Sequence, residues 1–293
     1  MFVFPAIVGV GIGIMSGLLG IGGGTVMVPI FRLAFGMSPV MSTATSLFAI
    51  IPTSISGATS HIRHKTCIVP LGVAAGIGGA LTSPIGVWLA QISPAWLIMV
   101  AAAVIIGWSA VKMLGKAFKL YSLKRAGRKV ASRHAFEHAD EAAASVEGLD
   151  GSTANVQMAA EEPSPRKLTR KQLLIGFAIG LGAGVASGYV GVGGGFIMVP
   201  LMLSLVGIEM RQASGTSLIA VMILAVPGVI EQALLGNINY AAGIAIVVGS
   251  IPGAIIGARL VRVVPELALR FAFGGFLIVA AVILVLNEFG ILG

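Results

Sequence analysis

The sequence predicts an all-α polytopic membrane protein built from two homologous transmembrane repeats, and three observations lead there. Apolar residues fill 57% of the 293 positions and charged residues only 10%, with a mean hydropathy of +1.00. Sustained apolar runs of about 20 residues give such a balance, and soluble domains do not. A glycine-rich segment, Ser16-Gly-Leu-Leu-Gly-Ile-Gly-Gly-Gly-Thr-Val-Met-Val-Pro29, returns 171 residues later as Ser187-Gly-Tyr-Val-Gly-Val-Gly-Gly-Gly-Phe-Ile-Met-Val-Pro200. Finally, residues 112–171 hold 12 of the 19 Lys/Arg and 7 of the 11 Asp/Glu, so charge is concentrated in one central stretch.

Taken in order, apolar segments run over about 3–19, 41–60, 67–90 and 95–113, then over 172–190, 213–235, 239–262 and 266–287. Each is close to the length a bilayer demands. Met1 to Leu19 lacks a positive n-region, which favours a membrane helix over a cleaved signal peptide. Behind each triple glycine lies a shorter apolar piece with a proline, 26–36 and 196–207, so eight full spans and two short Gly/Pro-broken segments are expected. The first repeat is assigned to 1–114, a cytoplasmic linker to 115–170 and the second repeat to 171–293. The halves align without a gap: Gly9/Gly180, Gly36/Gly207, Thr45-Ser46-Leu47/Thr216-Ser217-Leu218, Gly57/Gly228, Gly86/Gly257 and Pro94/Pro265 all match. Apolar composition alone does not hold glycines and prolines in register over such a distance.

Two topologies follow, according to whether the glycine-broken segment crosses. If it turns back without crossing, each half has four spans. If it crosses, each has five, and Arg63, Lys65, Arg211, Arg259, Arg262 and the central stretch share one side. The positive-inside rule favours the second, which predicts inverted halves with both termini outside a cell (inner or plasma) membrane. The linker opens with Lys112, Lys116, Lys119, Lys124, Arg125, Arg128, Lys129 and Arg133, a cluster suited to anionic lipid. Its remainder is too poor in apolar residues for a core and is expected to be disordered. The high pI thus describes a loop beside a membrane and does not point to nucleic acid.

Chemistry is sparse within the spans. A helix that stops at Gly22, Gly23 and Gly24 and restarts near Thr25 bares backbone N–H groups at membrane depth, and such a start favours an anion. Gly193, Gly194 and Gly195 repeat the pattern. Close helix packing explains Gly9, Gly13 and Gly17 but explains three consecutive glycines poorly. Thr45, Ser46, Thr216 and Ser217 offer hydroxyls that can cap a helix, bond back to it or donate to an anion. These eleven residues form the expected substrate site. Glu231, late in an apolar helix, is a candidate for ion coupling or gating, and Arg32 either attracts substrate or snorkels to the surface. His61 and His64, beside Arg63 and Lys65, read as an ordinary hairpin. His134 and His138 share a helical face in the linker. No metal set, cofactor motif, Walker lysine or catalytic grouping accompanies them, so an enzyme is not expected. The single Cys67 excludes an intrachain disulfide.

Both copies of the glycine-proline motif, each followed by Thr-Ser-Leu, resemble the TauE/SafE family of sulfite exporters and related permeases. The resemblance spans both membrane halves, about 80% of the chain, with a linker longer than the family leads one to expect. It implies a secondary transporter of small sulfur-containing anions such as sulfite, thiosulfate or organosulfonates. A channel-like anion pore built from the same parts is one rival, and a non-transporting membrane enzyme or sensor is another. Substrate, direction, coupling ion and oligomeric state are left open by the sequence.

Overall fold

The computed structural model describes residues 3–144 and 169–288, and among these every element is helical. The first half holds α1 (Val3–Leu19), α2 (Gly24–Leu33), α3 (Pro39–Arg63), α4 (Val69–Ile92) and α5 (Ala95–Ala144). The second holds α6 (Arg170–Val190), α7 (Gly195–Leu201) with a π-helical turn at Met202–Val206, α8 (Met210–Leu234), α9 (Tyr240–Leu260) and α10 (Glu266–Glu288). Seven of these are long and apolar enough to cross a bilayer, with α1, α2 and the α7 segment as shorter apolar helices. At 17 residues α1 reaches the lower limit for a span. Local signals set the starts. Ser38 caps α3 by accepting from the Met41 amide, Asn239 caps α9 through Ala242, and Thr169 with Gln172 forms a capping box on α6.

The two halves interlock. A Cβ placed on Gly9, Gly13 or Gly17 would collide with the α9 backbone at Ile246, Ser250 and Ala254, so α1 and α9 lie backbone to backbone and run parallel. The same relation joins α6 to α4, where Gly180 meets Ala75, Gly184 meets Gly79 and Gly188 meets Ser83. Small residues permit this approach, and dispersion and hydrogen bonding supply the attraction that lipid does not oppose. Between these pairs stand α3 and α8. Gly57 lies against Leu218 whereas Gly228 lies near Leu47, so these two equivalent helices are antiparallel. That register is compatible with inverted halves.

One end of the bundle gathers most of the basic residues outside the linker. The α3–α4 turn carrying Arg63 and Lys65 lies beside the start of α8, where Gly215 faces His61 and Cys67. Arg211 Nη2 donates to the Val264 carbonyl at 3.2 Å, bringing in the α9–α10 turn with Arg259 and Arg262 nearby. Gln172 Nε2 donates to the Val206 carbonyl at 3.3 Å, which places the start of α6 at the same end. Burial pushes the Cys67 thiol in that turn up to about 11.

The linker departs from expectation over 115–144, where α5 continues unbroken to Ala144. Ala, Lys, Arg and Glu dominate this stretch and no proline interrupts it, so helix propensity carries the helix on past the apolar segment. The rest of the linker, 145–168, lies outside the described residues, as do the side chains of His134 and His138.

Candidate functional site

Both glycine segments fold into the same turn. Gly20, Gly22 and Gly23 have φ of 75°, 78° and 85°, and their counterparts Gly191, Gly193 and Gly194 have 73°, 83° and 67°. The left-handed region is nearly closed to other residues, which is why the motif needs glycine at three positions of four. α1 ends at Leu19, the chain reverses so that Gly23 returns against Ile12 and Ser16, and α2 starts at Gly24. The two turns touch. A Cβ on Gly24 would lie 2.5 Å from the Val192 carbonyl oxygen, and one on Gly195 would lie 2.5 Å from the Gly20 carbonyl oxygen. Ile50 of α3 and Val221 of α8, equivalent by the repeat, pack against Gly22 and Gly193. Residues 19–25 and 190–200 are all buried.

The two predicted glycine segments therefore meet, with Ser217 bonded to the first of them, whereas Thr45 and Thr216 have partners elsewhere. The Thr45 hydroxyl accepts from the Asn239 amide at 3.0 Å and the Thr216 hydroxyl from the Ile68 amide at 2.9 Å. Each thus holds the helix start after the corresponding turn in the opposite half, and each retains its own O–H to donate. Ser217 Oγ donates to the Gly20 carbonyl at 2.7 Å or the Ser214 carbonyl at 2.9 Å. Thr25 and Ser46, by contrast, are fully buried with hydroxyls that have no hydrogen-bond partner among the described residues. Ser16, Ser42, Ser54 and Ser187 are in the same condition. An unpartnered buried hydroxyl costs about 1–3 kcal/mol, and several of them lie close to the two glycine turns.

Arg32 and Glu231 lie apart from this centre. Arg32 sits half-buried in the last turn of α2. Glu231 is half-buried near the end of α8, with Oε2 shielded from solvent and no hydrogen-bond partner among the described residues.

Two features escaped sequence reasoning. His61 is not a surface hairpin residue: it is fully buried, its Nε2 donates to the Gly17 carbonyl at 2.9 Å, and its Nδ1 lies 2.7 Å from Thr66 Oγ1. It ties the end of α1 to the α3–α4 turn. The signal was available in the repeat, because the equivalent pair is Gln232 and Asn237, joined at 2.8 Å. Lys116 is the second. Its Nζ leaves the linker side and donates to the Pro200 carbonyl at 3.2 Å and to Ser204 Oγ, beside the π-helical turn.

The chain matches the family model described as sulfite exporter TauE/SafE over residues 5–284. It is similar to three proteins of Bacillus subtilis (strain 168). With the probable membrane transporter protein YdhB it is 27% identical over 262 residues, covering 89% of this chain and 91% of the relative. For the probable membrane transporter protein YunE the figures are 26% over 268 residues, 89% of each chain. For the probable membrane transporter protein YjnA they are 22% over 291 residues, 97% of this chain and all of the other. No solved structure matches.

Proposed function

The chain belongs to the sulfite exporter TauE/SafE family, and we propose that it is a secondary transporter moving small sulfur oxyanions across the cell membrane by alternating access. The observation that carries this reading is the meeting of two equivalent glycine turns at the bundle centre, ringed by buried hydroxyls that lack partners. Oxyanions take N–H and O–H donors, and a broken helix at membrane depth presents both. Gly22, Gly23, Gly24, Thr25, Thr45, Ser46 and their counterparts Gly193, Gly194, Gly195, Thr216 and Ser217 would line the site.

The antiparallel register of α3 and α8 and the gathering of basic residues at one end support inverted five-plus-five halves with that end cytoplasmic. There the basic face of α5 would meet anionic lipid. Energetics suit export. A monoanion leaving a cell at about 100 mV, inside negative, gains about 2.3 kcal/mol, enough for a gradient of roughly fiftyfold without a coupled cation. Import would need coupling, for which Glu231 is the candidate carrier.

Anion flux into proteoliposomes, with sulfite, thiosulfate, sulfoacetate and sulfate and with or without an imposed potential, tests the function. Saturable, potential-dependent flux of at least one is expected, and no flux of any would sink the substrate class. Topology is tested with Asn237→Cys in a Cys67→Ser background. Labelling from outside the cell is expected, and labelling only from the cytoplasm would refute inverted five-plus-five halves.

A further inference from the structure

The repeat doubles the backbone of the site but not its donors. On α3, Ser42, Ser46, Ile50 and Ser54 follow one another at i, i+4 spacing and so share a helix face. Ile50 on that face touches Gly22, Gly24 and Gly193, and a Cβ on Gly22 would lie 3.5 Å from Ser54 Oγ. All three serine hydroxyls are fully buried and lack a partner among the described residues. The matching face of α8 reads Ala213, Ser217, Val221 and Ala225: two of the three hydroxyls are gone, and the third is engaged by backbone carbonyls.

The helix starts differ in the same sense. α2 is ten residues long with no side-chain cap, and the Val26 and Met27 amides turn back to the Gly23 carbonyl, leaving Gly24 and Thr25 as its first donors. In the second repeat the Gly195 amide is already given to the Gly193 carbonyl at 2.8 Å. Where the first repeat has Thr25, with its unpartnered hydroxyl, the second has the fully buried ring of Phe196.

We propose that the anion is bound asymmetrically, one per chain, by the start of α2 together with Thr25, Ser46 and Ser54, while the second repeat's turn forms an apolar wall closed by Phe196. Ser54 is then a specificity-determining donor, its Oγ lying 3.5 Å from where a Cβ on Gly22 would stand. The inference rests on the transporter reading above. A helix start supplies a fixed, non-titrating positive field, and the hydroxyls can rotate to meet either a sulfite or a longer sulfonate headgroup.

Purified full-length protein is titrated calorimetrically with sulfite and with sulfoacetate, and the same preparations are assayed for flux in proteoliposomes. One anion per chain is expected. Ser54→Ala and Thr25→Val should each weaken binding and raise the half-saturation concentration by about tenfold or more, the loss of a hydrogen bond to a charged group. Ser83→Ala is the control. Its hydroxyl is also buried without a partner among the described residues but is packed against Gly228 away from the turns, and it should leave both measures within about twofold. Unshifted thermal melting separates these effects from misfolding. Two anions per chain, or wild-type affinity in both Ser54→Ala and Thr25→Val while the wild type still transports, overturns the asymmetric site alone. Absence of both binding and flux in the wild type overturns the transporter reading and this inference with it.

Discussion

The two repeats agree in backbone and differ in side chains, and the division follows a physical rule. Glycines in the left-handed region occupy matching positions in both turns, and each turn packs against the opposite half at matching places: Gly20 on Ser214, Gly191 on Thr43. Two chains reversing against each other leave no room for a Cβ on either side, so these positions admit little change. The surroundings carry no such constraint and have diverged. Thr25 corresponds to Phe196 in the repeat, Ser54 to Ala225, and His61 to Gln232. The helix after the turn diverges too: α2 runs regularly past Pro29, while α7 passes after Pro200 into a π-helical turn held by Lys116. In the transporter proposed above, two equivalent turns would give the scaffold two equivalent ends for alternating access. Divergence around the turns would let it treat those ends unequally.

The most severe way to break the comparison is at its invariant part. Gly20→Ala forces a Cβ into the Ser214 backbone at a φ of 75°, and Gly191→Ala forces one into Thr43 at a φ of 73°. Strain at the φ and overpacking together should cost each variant about 2–6 kcal/mol. Thermal unfolding of the detergent-purified chain reads this directly. Matched losses are expected, and an alanine tolerated at one turn but not at the other would end the claim that the two are mechanically equivalent.

Much of this was legible in the sequence because the relevant signals are backbone signals. A triple glycine in apolar sequence costs too much to keep without a reason, and its recurrence in register with Pro29/Pro200 and Thr45/Thr216 located both turns before any helix was placed. Partner choice was not legible. Nothing local says that α1 packs on α9 and not on α3, because the glycine faces of Gly9, Gly13 and Gly17 fit any helix with a matching small-residue stripe. The hydroxyls show the same limit. Thr45 and Ser46 are adjacent, yet one is engaged by the Asn239 amide of the other half and its neighbour is left without a partner among the described residues. Only a tertiary contact 194 positions away distinguishes them. The continuation of α5 to Ala144 was overlooked for a different reason: charge marked the edge of the membrane, and the edge of the membrane need not be the end of a helix.

His61 and Gln232 offer the finer test, because the two repeats place different chemistry on the same fold position. The His61 ring uses both nitrogens, one on the Gly17 carbonyl and one at Thr66. Gln232 accepts from Asn237 at 2.8 Å and from Gln91 at 3.4 Å, while its own Nε2 is buried with no hydrogen-bond partner among the described residues. His61→Ala therefore removes two hydrogen bonds and leaves a ring-sized void, a loss of about 2–4 kcal/mol. Gln232→Ala deletes an orphan donor along with its acceptor and should cost about 1–2 kcal/mol. His61→Gln, which installs the second repeat's residue in the first, should fall between the wild type and His61→Ala. Thermal midpoints of the three variants order these effects. Equal losses for the two alanine variants would mean that the end of α1 is not tied through His61, and the first repeat would then owe its closure to the glycine contacts alone.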